Sequence, residues 1–285
     1  MEPKRLTKEH FLGLNVPLRL YHQIVDNGVD LHWHEFYEFC YITKGSGVNI
    51  INGSPVPLQA GSMFLLTPAD FHEIYPNPGE TLELYNVVFA EEILSEELRE
   101  VLFARFRWYS AYVEPHEHQR ICAEFETIGT EMTTLRLGHS IMVKGALERL
   151  LLELARRDDT SASSLEVLVS SHRAAPIRKA LVHIQHYFRE EIRLEDAANQ
   201  ARLAPNYFSE CFKETTGVNF QTYVQNLRIS FAQSLLLASK IPVTDVCYAS
   251  GFRSIAHFNR AFKMKTGVSP RQYRQQETVS STEVY

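Results

Sequence analysis

The chain has 285 residues, with 29 Lys and Arg against 34 Asp and Glu and a formal net charge of −5, long enough for two domains that each bury a core. Hydrophobic residues make up 45% of it but never gather into an apolar run of about 18 residues or a signal peptide, so a cytoplasmic protein is expected, neither exported nor membrane-bound. Cys40, Cys122, Cys211 and Cys247 lack CxxC or ribbon spacing and read as buried free thiols. No P-loop, dinucleotide fingerprint or nucleophile elbow is present, which leaves those enzyme classes without a signal.

Short strands and turns fill residues of about 15–90. Gly28-x3-His32-x-His34-x3-Glu38-x6-Gly45 is followed by Gly61-x6-Pro68-x-Asp70-x-His72. Alternate residues of a strand share a face, which would put His32, His34, Phe36 and Glu38 on one side and Trp33, Glu35 and Tyr37 on the other. Between the spans, VNIINGSPVPLQAG at 48–61 carries an Asn52-Gly53 hairpin signal. MFLLTP and LELYNVVF are further strand candidates.

Those two spans resemble the sequence pattern of a cupin barrel. The resemblance implies an antiparallel β-barrel (a double-stranded β-helix) inside which His32, His34, Glu38 and His72 converge as an effector-binding set. Imidazoles with a carboxylate suit a divalent metal such as Zn, Mn, Fe or Ni. The same groups could instead hydrogen-bond a polar ligand in a metal-free pocket, or form an inert core, and the residues leave these readings open. No cofactor is required. The usual Pro-x-Gly-x-x-His appears here as Pro68-Ala69-Asp70-Phe71-His72, which alters the turn before the fourth residue.

Residues of about 91–157 read as helical. Ile121, Phe125, Ile128 and Met132 mark one stripe; Ile141, Ala146, Leu147, Leu150, Leu151 and Leu154 mark another. Arg136-Leu137-Gly138-His139 joins them as an antiparallel pair. Residues 1–157 thus form one domain. Residues 158–175, DDTSASSLEVLVSSHRAA, are Ser-rich and fit a linker, in which LEVLV could form a short ordered piece.

Within 176–275 a pattern occurs twice, FSECFKETTG at 208–217 and FNRAFKMKTG at 258–267, at an offset of fifty residues. Each copy reads as two short helices about a tight turn, at about 194–214 and 243–264, with the turns at Arg202-Leu203 and Gly251-Phe252. Pro205 suits the first position of its helix, Ser254 can cap the corresponding one, and the paired phenylalanines face inward. A stretch without Gly or Pro, about 220–239, links the copies as a helix. Residues 176–275 hold fourteen Lys and Arg against seven Asp and Glu, a net of +7, while residues 1–175 carry −10. A basic C-terminal third is the electrostatic footprint of phosphate binding.

Residues 176–275 resemble the DNA-binding domain of the AraC/XylS family of transcription regulators, through Gly251, Phe252, Ser254, Phe258, Arg260, Phe262, Lys263, Gly267, Ser269, Pro270, Tyr273 and Arg274. The linking helix matches at Tyr223, Leu227, Arg228, Ala232, Leu235 and Leu236. The resemblance implies a multidomain α+β protein: an effector barrel with a dimerising helix pair, then an all-α domain with two helix-turn-helix motifs on one long helix, and a tail at 276–285. Expected DNA-binding residues are Asn206, Ser209, Glu210 and Lys213 in the first copy. In the second they are Arg253, Ser254, Ile255, Ala256, His257, Asn259, Arg260 and Lys263. Glu210 stands where many relatives carry a base-reading Arg, so the two readers are expected to be unequal. The implied partners are double-stranded DNA, a small-molecule effector such as a sugar, RNA polymerase and a second copy of the chain. The function implied is a ligand-responsive activator of a carbohydrate-utilisation operon, not an enzyme. The alternatives are a cupin metalloenzyme (a sugar isomerase or dioxygenase) and an effector-independent DNA binder.

Overall fold

A computed structural model describes residues 4–13, 16–103, 109–157 and 174–280. They fall into two compact units, one within Lys4–Val169 and the other within Ser170–Tyr285.

The first unit opens with strand β1 (Lys4–Leu6), the short helix α1 (Lys8–Phe11), β2 (Leu18–Val25), β3 (Val29–His34) and β4 (Tyr37–Lys44). It continues through β5 (Ser46–Ile51), β6 (Ser54–Gln59), β7 (Ser62–Leu66), β8 (Phe71–Pro76) and β9 (Leu82–Phe89). Helix α2 (Glu96–Phe103), strand β10 (Tyr109–Tyr112) and helices α3 (His118–Thr134) and α4 (His139–Arg157) complete it. The strands form two five-stranded sheets, ordered β1-β3-β8-β5-β6 and β10-β7-β4-β9-β2. All pairings are antiparallel except β1 with β3.

Strand β4 shows why this packs as it does. Its residues Tyr37–Ile42 are all buried, because both faces are covered. Cys40 and Ile42 join Leu84, Phe64 and Ile74 in the interior. On the other face Phe39 and Tyr41 stack on Phe125 of α3, and Tyr85 of β9 joins them at a centroid distance of 4.7 Å. Full burial of such rings contributes about 1.5–3 kcal/mol each. Turn chemistry sets the register: Asn52 and Gly53 both take positive φ, 52° and 83°, and close the β5–β6 hairpin at Ile51↔Ser54.

The structure departs from the sequence-based expectation in several places. The sheets reach beyond 15–90, since β1 and β10 each supply one outer strand, one in each sheet. The stretch 91–157 is not wholly helical, because Tyr109–Tyr112 pairs with Ser62–Leu65 as a strand. The His32–Glu38 run is not one strand either: a corner at Glu35–Phe36 sends β3 into one sheet and β4 into the other. The last helix runs to Ser280, past the expected end at 275. Most of the expected linker, 158–173 with its LEVLV piece, lies outside the described residues. Cys122 is partly exposed; the other three cysteines are buried.

The unusual residue before His72 proves to be structural. Asp70 Oδ2 accepts from the Thr67 backbone N–H and hydroxyl, both at 2.8 Å, and Oδ1 accepts from Asn52 Nδ2 at 2.7 Å. Asn52 Oδ1 in turn accepts from the Phe71 N–H at 3.1 Å. A buried carboxylate ties this turn to the hairpin beside it and delivers His72 to the start of β8.

The second unit comprises α5 (Ala174–Tyr187), α6 (Leu194–Gln200), α7 (Pro205–Thr216), α8 (Phe220–Ala238), α9 (Val243–Ala249), α10 (Ile255–Thr266) and α11 (Pro270–Ser280). Its internal repeat is matched at the turns and in the aromatic contacts. Leu203 N donates to Ala198 O and Phe252 N to Cys247 O at the two turns. Phe212 meets Tyr223, and Phe262 meets Tyr273, edge-on at 5.4 Å in both copies. Arg202 takes the left-handed φ of 54° that Gly251 takes at 83° in the second turn. Segment 188–191 fastens the copies together. Arg228 of α8 donates to the carbonyls of Phe188 and Glu190 at 2.6 and 2.8 Å, and Gly251 lies against the backbone of Arg189.

A Cβ at Gly251 would meet Arg189 backbone atoms at 2.6 Å, whereas one at Gly267, with φ 82°, meets nothing within 4 Å. Gly267→Ala should therefore cost only the left-handed strain of about 1–2 kcal/mol. Gly251→Ala adds a clash of about 1–3 kcal/mol more, so chemical denaturation should separate the two; equal losses would refute the close approach. Asp70→Ala should destabilise the barrel unit by about 3 kcal/mol, since bonds to a charged acceptor contribute about 1.5–3 kcal/mol each. Asp70→Asn should recover part of that loss in the same assay.

Candidate functional site

Inside the first unit the four expected side chains converge, from three strands and both sheets. His32 and His34 come from β3, His72 from β8, where it pairs with His32, and Glu38 from β4. His34 and His72 are wholly buried, and His32 and Glu38 nearly so. Nε2 of His34 and of His72 stand 3.1 and 3.2 Å from the same oxygen, Glu38 Oε2. The other oxygen, Oε1, accepts from Asn86 Nδ2 at 2.7 Å and from the Cys40 thiol at 3.5 Å.

The opposite ring nitrogens are all held. Nδ1 of His32 donates to Asp30 O at 2.8 Å and Nδ1 of His34 to Phe36 O at 2.6 Å. Nδ1 of His72 faces Asn49 Oδ1 at 3.3 Å. An oxygen partner at Nδ1 fixes the orientation of each ring. Nε2 of His34 and His72 are buried, and despite their closeness to Glu38 neither is aligned in a hydrogen bond. Burial, reinforced by His72, lowers the His32 pKa to about 4. Burial pushes the Glu38 carboxyl up, but the neighbouring His72 and His34 outweigh it and hold it well below the usual carboxylate range. Burial and the Glu38 charge push the Cys40 thiol up.

A cavity of about 160 Å³ opens onto this cluster. Its walls are mostly aliphatic and aromatic, among them Val25, Val29, Ile74, Leu84 and Val88. His32, Glu38 and His72 line it; His34 does not, and stands behind the carboxylate. Leu6 and Phe11 close part of the wall, so the N-terminal arm covers the cavity. Glu35 N donates to Leu6 O at 3.0 Å, Lys8 N to Glu35 Oε2 at 3.1 Å, and Phe11 packs on Phe36 at 5.6 Å. The arm, Asn86, Asn49 and Gln23 were missed from sequence. Asn49 had a signal, as the lone polar residue of the apolar run VNII; Asn86 shares LELYNVVF with Glu83 and stands out less.

The donor set fits a divalent metal. His32, Glu38 and His72 each offer a ligand atom, and these three atoms lie within 4.8 Å of one another.

In the second unit the expected DNA-contacting residues lie on α7 and α10 and in the turns before them. Asn206, Glu210 and Lys213 are exposed and Ser209 half-buried; Phe208, Cys211 and Phe212 take the inner face. On α10, Ala256, His257, Asn259, Arg260 and Lys263 are exposed and Ile255 half-buried, with Phe258, Ala261 and Phe262 inward. Ser254 is exposed and caps α10, its hydroxyl accepting from His257 N at 3.4 Å; Ala204 gives α7 no such cap. Arg253, also exposed, bonds Glu191 at 2.5 Å. Tyr207, 45% exposed at the position matching His257, belongs to the outer face and was not singled out from sequence. Among the described residues no helix is long and apolar enough to cross a membrane.

A family model described as an AraC-like ligand binding domain matches residues 15–168, and one described as a helix-turn-helix domain matches residues 197–276. The curated relative named HTH-type transcriptional activator RhaS from Klebsiella pneumoniae is 26% identical over 255 residues, covering 86% of this chain and 87% of that protein. The protein of the same name from Citrobacter koseri is 24% identical over 278 residues, covering 94% and 95%. Among solved structures, apo ToxT from Vibrio cholerae, in a variant form, covers 91% of this chain and 97% of its own, at 16% identity and a TM-score of 0.41. With the ligand-binding model spanning more than half the sequence and the helix-turn-helix model lying over both repeated motifs, the chain belongs to the AraC family of DNA-binding transcription regulators.

Proposed function

We propose that the chain is a cytoplasmic, ligand-responsive activator of a carbohydrate-utilisation operon. The observation that carries this reading is the duplicated helix-turn-helix, exact in its turn bonds, with a polar face outward on each second helix and a basic one on α10. The RhaS relatives are named as transcriptional activators, which supports activation. The domains divide as 1–157 for effector binding and dimerisation, 158–175 for the linker and 176–275 for DNA binding.

Helix α8 has 19 residues, a length of about 28 Å, close to the ~34 Å between successive turns of the major groove. It can hold α7 and α10 against neighbouring grooves. On α10, Arg260 is suited to bidentate bonds with guanine and Asn259 with adenine. Ile255, Ala256 and His257 offer the groove an apolar edge and one ring. Ser254 and the cations Arg253, Lys263 and Lys213 fit phosphate positioning. On α7, Asn206 and Ser209 are neutral readers. Glu210 can accept from cytosine but repels phosphate, so the first reader contributes less affinity. DNA binding itself requires no cofactor.

The barrel supplies the sensor. A cavity of small-molecule size, apolar in its walls and polar where Glu38, His32, His72 and Asn86 converge, fits a compact effector such as a sugar. Because Leu6 and Phe11 form part of the wall, an occupant touches the arm directly and biases its position. Dimerisation through the α3–α4 pair is supported by the exposed Leu135, Leu137, Ile141 and Met142 at its connection. Activation further requires contact with RNA polymerase. Sensing, rather than catalysis, is the barrel's role.

Gel-shift titration tests the reading, with a saccharide panel added or withheld. A cognate saccharide should change DNA affinity or complex mobility; identical affinity and geometry with every compound would sink the ligand response. In the same assay Arg260→Ala should weaken binding roughly 10- to 100-fold, the 1–3 kcal/mol of a lost bidentate contact. Glu210→Ala should change it by less than about 3-fold. Equal losses would show the two readers to be equivalent.

A further inference from the structure

The basic charge of the second unit is not shared between its two readers. Residues 176–226 hold six Lys and Arg against six Asp and Glu, while residues 227–275 hold eight against one. The whole net charge therefore belongs to the half that carries α10. On α7 the outward face bears Glu210 and, one turn on, Glu214, with Lys213 beside them. Fifty residues later the matching positions of α10 are Arg260, Met264 and Lys263. A face with two carboxylates and one ammonium gains nothing from phosphate, so what α7 adds to recognition must come from uncharged contacts.

One side chain there is large enough to supply them. Tyr207 is 45% exposed, and among the described residues no other large apolar side chain of α7 is exposed. The inward face is filled by Phe208, Cys211 and Phe212, which leaves Tyr207 outward. A single exposed tyrosine needs no explanation by itself; its place in the helix gives it one. It is the third residue of α7, as His257 is the third residue of α10. The first turn of the second helix is the part of a helix-turn-helix that meets base edges. There an apolar ring has a distinctive partner in the major groove, the C5 methyl of thymine. Its neighbours Asn206 and Ser209 offer hydrogen bonds instead.

We propose that Tyr207 is the specificity-determining residue of the first reader, its ring packing on a thymine methyl in the groove that α7 enters. The two readers then differ in kind: α10 supplies ionic affinity, and α7 selects sequence with almost none. The contact rests on the reading above that α7 faces a groove; the charge split does not.

The full chain should enrich, from a random-sequence pool of duplexes, two blocks of preferred bases about one helical turn apart. Tyr207→Ala should lose the preference for a thymine in one block and keep the other block intact. Replacing that thymine by uracil, which removes the methyl alone, should weaken wild-type binding about 3- to 5-fold. The same replacement should leave Tyr207→Ala unaffected, and Tyr207→Phe, which keeps the ring, should retain the discrimination. Should Tyr207→Ala melt early, Tyr207→Gln takes its place. Salt dependence separates this role from phosphate contact: Tyr207→Ala should keep the wild-type slope, while Lys263→Ala lowers it by about one. Identical enriched sequences, or an equal uracil penalty in wild type and Tyr207→Ala, overturns the contact. A single enriched block overturns the first reader and this contact with it, leaving recognition to α10. Enrichment of nothing overturns recognition by either motif.

Discussion

Burying a carboxylate among imidazoles sets the terms for the whole barrel. An ionised group taken out of water costs several kcal/mol unless each of its polar atoms finds a partner. Glu38 meets that demand with Asn86 and Cys40 on one oxygen and two rings near the other. Each ring is anchored through its far nitrogen to an oxygen of the chain. The corner at Glu35–Phe36 and the Asp70 turn serve the same end, because they bring donors from opposite sheets to one point. The walls of the adjoining cavity are mostly apolar, so the cluster draws its partners from its own few polar neighbours.

The DNA-binding unit obeys a different constraint, that of repeated geometry. Two short helix pairs gain their shape from the same turn bonds and the same edge-on contact of phenylalanine with tyrosine. Neither pair stands alone. The carbonyls of segment 188–191 accept from Arg228 on the long helix, and the backbone of that segment touches the second turn at Gly251. What sits outward on the two reading helices is then free to diverge, as Glu210 and Arg260 do.

Much of this was legible in the sequence, for identifiable reasons. The fifty-residue repeat, the Asn52-Gly53 turn, the helix pair about Gly138 and the long helix are local patterns, and local patterns survive folding. The convergence of His32, His34, Glu38 and His72 was visible through resemblance to a known barrel. Other features were hidden because they depend on pairing between distant segments. Lys4–Leu6 and Tyr109–Tyr112 are too short to announce themselves as strands and exist only through their partners, β3 and β7. That Asp70 replaces a glycine turn with side-chain bonds required Asn52, eighteen residues away, to be seen beside it. The exclusion of His34 from the cavity wall follows from the corner after β3, which period-two reasoning passes over.

The ion pair between Arg253 and Glu191 has a thermodynamic corollary. A lysine or arginine that moves from water onto a phosphate releases a condensed counterion, and that release makes DNA affinity fall with salt. Arg253 begins with a carboxylate as its counterion. Handing the guanidinium to a phosphate frees one cation from the duplex but breaks this pair, leaving Glu191 with Arg193 beside it at 3.5 Å. The lost pair offsets part of what the phosphate contact gains, so such a contact can fix orientation while adding little net affinity.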